Sequence, residues 1–143
     1  MAGIFIALIS GALMSIQGIF NTEVTKQSSV WLAAAWVQFT ALAVCVALWL
    51  FTGRENVQTL WHVRPWYMLL GGVMGAGITW TVIQSMGSLG PAQATLLIVI
   101  SQILVSYGVE LFGMFGVEQV GFQWRKLIGA VIAIAGIVLF RWE

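Results

Sequence analysis

Uncharged polar side chains recur at helical spacing inside stretches that are otherwise apolar. Ser10, Gln17 and Asn21 follow one another at i, i+7 and i+11, so they share one face of a 3.6-residue helix. Polar groups inside a membrane span are costly and usually face protein or a water-filled cavity. The spacing therefore predicts an inner face, and carboxamides on it can hydrogen-bond neutral or zwitterionic groups.

A second polar stripe has the same spacing further along the chain. The residues Thr95, Gln102, Ser106 and Glu110 lie at i, i+7, i+11 and i+15.

The depth of each polar side chain in the membrane follows from the helical rise of about 1.5 Å per residue. By this estimate, carboxamide or indole groups from four predicted helices lie in one depth zone of the membrane. The additional members of this zone are Gln38, Trp80 and Gln84. Two interpretations remain open: a substrate cavity, or hydrogen bonds between helices worth about 0.6 kcal/mol each.

Glu110 is the one carboxylate that we expect inside a predicted span, and it lies near the end of that span rather than at its centre. It lies about 27 Å from the start of its helix, so it could reach water at the helix end or carry a proton as a coupling group. Cys45 is the only cysteine and His62 the only histidine, and the chain has no aspartate. No residue pattern suggests a nucleophile, a metal site or a cofactor, and we expect no enzymatic activity.

The composition indicates what surrounds these residues. Hydrophobic residues make up 60% of the 143-residue chain and charged residues 8%, with a mean hydropathy of +0.96. Soluble domains carry about 25% charged residues. Because a small soluble domain cannot bury so much apolar surface, the sequence predicts an integral membrane protein whose partner is the lipid bilayer. The net charge of +1 suggests no nucleic-acid partner.

The apolar stretches are long enough for five membrane-spanning helices in a single membrane domain, residues 1–143. A span needs about 20 apolar residues, and an open sheet edge is not tolerated in lipid, so the predicted fold is all-α. The predicted helices cover about 3–24, 30–51, 66–86, 92–115 and 124–142. We interpret residues 52–65 as a long polar connection, and we expect Ser28 or Ser29 to cap the second helix.

Five spans place the two chain ends on opposite sides of the membrane. We call the side of the N-terminus side A and the other side B. Side A then carries Arg54, Arg64, Arg125 and Lys126, and side B carries Lys26 and Arg141. The positive-inside rule favours side A as cytoplasmic, but the bias is small. Either the chain has a fixed N-in orientation, or it inserts both ways.

Small residues share one face of the fifth helix. Gly129, Ala133 and Gly136 lie at i, i+4 and i+7. Small residues at this spacing let helix backbones approach closely in membranes. The face is suited either to packing within the chain or to a dimer.

Two segments resemble known transporter families. The stretch 88–140, "SLGPAQATLLIVISQILVSYGVELFGMFGVEQVGFQWRKLIGAVIAIAGIVLF", resembles the C-terminal half of a drug/metabolite transporter repeat, and the small multidrug resistance family ends similarly. The stretch 15–39, "SIQGIFNTEVTKQSSVWLAAAWVQF", resembles the YdcZ-like family. The resemblance implies a five-helix half of a ten-helix inverted-repeat transporter, working as an antiparallel homodimer in the bacterial cytoplasmic (inner) membrane.

One departure limits what the resemblance implies about mechanism. Small multidrug exporters are known for a central glutamate in the first helix, where this chain has Ser10, Met14, Gln17 and Asn21. Exchange of cations for protons through that residue therefore does not carry over.

The function expected from the sequence is secondary transport of a small polar or amphipathic metabolite or drug by alternating access. The alternative is a non-transporting membrane subunit or scaffold whose polar residues only hold helices together. The expected substrate-binding residues are Gln17, Asn21, Gln38, Trp80, Gln84, Gln102 and Ser106, with Glu110 for proton or ion coupling and Gly129, Ala133 and Gly136 at the dimer interface.

Overall fold

The computed structural model describes residues 2–53 and 56–141 and is helical. Its α-helices are α1 (Ala2–Gln27), α2 (Val30–Thr52), α3 (Gly71–Leu89), α4 (Pro91–Phe112) and α5 (Trp124–Arg141). Arg54, which enters the charge count, and Trp142, the predicted end of the fifth helix, lie outside the described residues. The chain divides into two compact units, Met1–Ser88 and Leu89–Glu143, and each is described by itself.

The first unit begins with a helical hairpin of α1 and α2. Ser29 caps α2, because its hydroxyl accepts a hydrogen bond from the Leu32 N–H at 3.2 Å. The Ser28 hydroxyl instead donates to the Val24 carbonyl at the end of α1 (2.8 Å). The two serines between the helices thus satisfy backbone groups of both, which fixes a short turn.

The buried residues of the first unit lie near this turn. Ala33 is 1% exposed and Asn21 8%, and Ile83 and Met86 from the last part of α3 are also buried. Gly18 allows α3 to approach α1, since a Cβ built there would lie 2.6 Å from Met86 Cε. The opposite halves of α1 and α2 expose their apolar side chains, as expected for surfaces that face lipid or another chain.

The connection between α2 and α3 differs from the expected polar loop. It contains two 3₁₀ helices, Val57–His62 and Trp66–Leu70, and α3 proper begins only at Gly71 instead of 66. The Asn56 side chain caps the first by accepting from the Gln58 N–H (2.9 Å). Trp61 is 78% exposed, so the connection presents an aromatic surface of the kind found at membrane interfaces.

The second unit consists of α4, a short 3₁₀ helix (Met114–Gly116) and α5. Helix α4 ends at Phe112 and not at 115, because Gly113 adopts a left-handed conformation (φ 62°) whose N–H bonds to the Val109 carbonyl. Residues 113–123 then fold back onto the end of α4. The Val120 N–H donates to the Glu110 carbonyl at 2.9 Å.

Among the described residues, four helical segments are long and apolar enough to cross a bilayer: Ala2–Gln27, Val30–Thr52, Trp66–Leu89 and Pro91–Phe112. The 18-residue α5 carries Arg125 and Lys126 at its start and Arg141 at its end, around an apolar run at 127–140. The all-helical membrane fold is thus confirmed in outline. A fifth span, and the chain as half of a ten-helix repeat, stay predictions.

Candidate functional site

A concavity of the second unit lies between α4 and α5. Its volume is about 440 Å³, which is within the usual range for small-molecule sites. Helix α4 presents three residues of its polar stripe to the cavity, all but Thr95, and α5 presents small residues. The lining residues are Gln102, Ile103, Leu104, Ser106, Tyr107 and Glu110 from α4, and Lys126, Gly129, Ala130 and Ala133 from α5.

An ion pair forms one end of this cavity. Lys126 Nζ lies 2.6 Å from Glu110 Oε2, and the side chains are 41% and 40% exposed. Glu110 is in the last turn of α4 and Lys126 in the first turn of α5, so the pair lies where the two helices are joined. At this exposure the pair adds at most about 1 kcal/mol to stability, and both groups stay accessible from the cavity.

Tyr107 completes the charged end. Lys126 Nζ lies 5.4 Å from the centre of its ring, within the range of a cation–π contact. The Tyr107 hydroxyl accepts a hydrogen bond from the Gln123 N–H at 3.0 Å, which connects the start of α5 to α4. Tyr107 therefore holds Lys126 over α4 and fixes one wall of the site.

The opposite part of the cavity is apolar. Ile103 and Leu104 face Ala130 and Ala133, and Gly129 leaves space between the helices. A Cβ added at Gly129 would meet no atom within 4 Å in the described part of the chain. Two of the three small residues predicted to form a dimer face, Gly129 and Ala133, thus line the cavity as well. Gly136 is exposed outside its lining.

In the first unit, Trp80 and Gln38 make contacts between α2 and α3. Trp80 stacks on Trp31, with ring centres 6.2 Å apart and planes inclined by 17°. Gln38 Nε2 lies 3.3 Å from where a Cβ at Gly75 would be. Trp31 is therefore the packing partner of a predicted site residue.

The other predicted residues of the first unit are dispersed. Asn21 is buried beside the α1–α2 turn, whereas Gln17 and Gln84 are exposed. Gln17 lies at one end of an open groove of about 510 Å³ along α1. The remaining residues of this groove are Ile6, Ile9, Ser10, Leu13 and Met14. The groove follows the α1 stripe predicted from spacing, but its walls are mainly apolar.

The structure therefore brings Gln102, Ser106 and Glu110 together in one cavity. Sequence reasoning missed two of that cavity's residues, Lys126 and Tyr107. Tyr107 lies three residues before Glu110 on the same helix, a spacing that signals contact. Lys126 entered only the topology count, since its pairing with Glu110 across a loop leaves no local signal.

Metal ligands are not clustered here. In residues 2–53 and 56–141, no group of three or more His, Cys, Asp or Glu side chains could hold a metal ion. The donors that line the α4–α5 cavity are amide, hydroxyl, carboxylate and ammonium groups, which suit an organic ligand.

Comparison with protein families adds an independent observation. Residues 2–139 match the family described as "Putative inner membrane exporter, YdcZ". The chain belongs to the YdcZ family. No curated protein and no solved structure matches it. Membership of YdcZ, together with several apolar helices, makes the chain a multi-pass protein of the cytoplasmic (inner) membrane and supports a role in transport.

Proposed function

We propose that this YdcZ protein exports a small polar or amphipathic metabolite by alternating access, and that the α4–α5 cavity is part of its substrate path. The observation that carries the proposal is that Gln102, Ser106 and Glu110, on successive turns of α4, all line one cavity. Residues 102–110 extend over about 12 Å of α4, from near the middle of the helix to its end. A substrate bound along them would pass from one membrane surface towards the midplane.

Pairing of two chains would complete this path. The α5 face of Gly129, Ala133 and Gly136 is partly open within the described chain, since an added Cβ at either glycine meets no atom within 4 Å there. A second α5 seated on this face would cover the cavity and provide a further wall. We therefore retain the antiparallel homodimer, in which inverted copies place equivalent sites near the midplane, as part of the proposal.

A cysteine-accessibility experiment tests for a water-filled path. Cys45 is first replaced by alanine, and single cysteines are then introduced at Gln102, Ser106 and Val105. Val105 is a matched control on the same helix: it is 63% exposed but does not line the cavity. We expect a membrane-impermeant thiol reagent to label positions 102 and 106 and to spare 105, which faces lipid.

The same experiment addresses the alternative role. In a scaffold protein whose polar residues only join helices, positions 102 and 106 are as protected as 105. Equal protection of all three would therefore overturn the exporter proposal.

The dual-topology part needs a separate measurement. A reporter that is active only on the periplasmic side is fused to the C-terminus in one strain, and a cytoplasmic reporter in another. Signal from both fusions supports inverted copies. Signal from one fusion alone would refute an antiparallel homodimer and leave the cavity argument intact.

A further inference from the structure

The two ends of the α4–α5 cavity differ sharply in chemistry. One end holds both a positive and a negative group, Lys126 and Glu110, and the other is formed by Ile103, Leu104 and Ala133. Gln102 lies on the same wall as the apolar residues and Tyr107 beside the charges. A ligand that matches this surface has charged groups at one end and a hydrocarbon portion at the other.

The ion pair leaves bonding capacity unused. The contact at 2.6 Å involves one oxygen of the Glu110 carboxylate and one N–H of the Lys126 ammonium. An ammonium has three donors and a carboxylate about four acceptor sites. Because each side chain is also about 40% exposed, both can bind a ligand without first leaving each other.

The presence of both charges selects among ligands. A ligand with only a positive group gains Glu110 but meets repulsion from Lys126, and a purely anionic ligand meets the reverse. A zwitterion satisfies both partners, and charge-assisted hydrogen bonds are about twice as strong as neutral ones. Removing one partner of such a set leaves the other charge uncompensated, which is unfavourable at a partly buried site.

We propose that the α4–α5 cavity binds an amphipathic zwitterion, with its acidic group on Lys126, its amino group on Glu110 and its alkyl portion along Ile103, Leu104 and Ala133. This inference rests on the proposed export function, and it specifies the substrate class of that site. The chemistry fits two sources: a soluble alkyl amino acid, or a phospholipid with an ethanolamine headgroup.

Four probes separate head charge from hydrophobicity in binding to the purified full-length chain. They are 2-aminodecanoate (zwitterion with a tail), decanoate (anion), decylamine (cation) and alanine (zwitterion without a tail). We expect 2-aminodecanoate to bind at least about tenfold more tightly than the other three, because each of them loses a charge-assisted contact or the apolar one. Equal binding of the three alkyl compounds would indicate partition into the apolar surface and would overturn the proposal.

Three variants assign the preference to the ion pair. Lys126→Met should shift the preference towards decylamine, and Glu110→Gln should shift it towards decanoate. The double exchange Glu110→Lys with Lys126→Glu restores both charges and should restore the preference for 2-aminodecanoate. If folded Lys126→Met and Glu110→Gln keep the wild-type order of binding, the proposal is wrong. Where a variant does not fold, the order of probe affinities measured for the wild-type chain still tests the proposal.

The source of the ligand is resolved in lipid nanodiscs. Binding of 2-aminodecanoate is compared in phosphatidylglycerol discs with and without phosphatidylethanolamine. Competition by phosphatidylethanolamine identifies a membrane lipid as the occupant, and undiminished binding identifies a soluble amphiphile. Loss of 2-aminodecanoate binding in both kinds of disc would overturn the proposal.

Transport measured in proteoliposomes separates this inference from the export function. Selective binding of the zwitterion without transport would refute export and leave the site. If the transport rate depends neither on the head charge of the probe nor on the two single substitutions, the proposed site is refuted and the export function is still supported.

Discussion

Substitutions at two glycines of α5 should perturb ligand binding and chain pairing to different degrees. Gly129 lines the α4–α5 cavity, whereas Gly136, two turns further along the same face, does not. A Cβ added at either position meets no atom within 4 Å in the described chain, so each position has room for the first carbon of a larger side chain such as leucine. Since leucine is also a better helix former than glycine, neither variant should lose its helix.

Leucine at position 129 would occupy part of the cavity. If its side chain excludes two methylene groups of a bound amphiphile, the loss is about 1.6 kcal/mol at ~0.8 kcal/mol per methylene, or roughly 15-fold in Kd. We therefore expect Gly129→Leu to weaken binding of the tightest of the four alkyl and amino-acid probes by about that factor. Gly136→Leu should raise the Kd by less than this, because Gly136 does not line the cavity and the variant can remove only the wall that a second α5 would provide.

The assay combines calorimetric titration of the probe with the mass of the detergent-solubilised particle. If the small-residue face pairs two chains, both leucine variants reduce the dimer fraction, but Gly129→Leu weakens binding of the probe by a larger factor. Equal weakening by both variants would show that ligand loss follows dimer loss. Unchanged binding by Gly129→Leu would show that the ligand does not enter this cavity. Either result would refute the reasoning.

Three further predictions concern the first unit. Gly18→Ala should lower the melting temperature slightly. The new Cβ displaces the flexible end of Met86 at a cost of about 1–3 kcal/mol, which the higher helix propensity of alanine partly offsets. The control Gly11→Ala has open space around the new Cβ and should not lower the melting temperature. Trp80→Ala should destabilise the first unit by more than Trp80→Phe, because phenylalanine keeps part of the stack on Trp31, which is worth about 0.5–1.5 kcal/mol. Equal decreases of the melting temperature in the two variants would contradict a stacking role. If Gln17 belongs to the substrate path predicted from the sequence, Gln17→Leu should reduce ligand-induced stabilisation without changing the oligomeric state in detergent. An unchanged ligand response would remove Gln17 from that prediction.

Local chemistry made much of the helical architecture predictable. The apolar runs were long enough to identify each helix, and serine between two of them predicted the cap of α2, which Ser29 forms. The end of α4 was placed too late because Phe112 to Phe115 is apolar throughout, so hydropathy does not mark the boundary. The left-handed Gly113 marks it instead.

The candidate site was predictable only in part. A 3.6-residue period was sufficient to place Gln102, Ser106 and Glu110 on one face, and the structure puts all three on the cavity wall. The ion pair with Lys126 joins residues on different helices, and its formation depends on how residues 113–123 fold back onto α4. Composition carries no signal for that path. The same reason explains why the stacking of Trp31 on Trp80 was not anticipated.

The apolar part of α5 has a consequence for the surrounding bilayer. Its run at 127–140 is about 21 Å long as a helix, whereas the hydrocarbon core of a typical bilayer is about 30 Å thick. Basic residues at both ends favour the headgroup regions, so a membrane-spanning α5 would suffer hydrophobic mismatch. Local thinning of the lipid around this helix would relieve the mismatch. The length of the lipid acyl chains would then affect the position of α5, which carries Lys126. The geometry of the site would therefore depend on bilayer thickness.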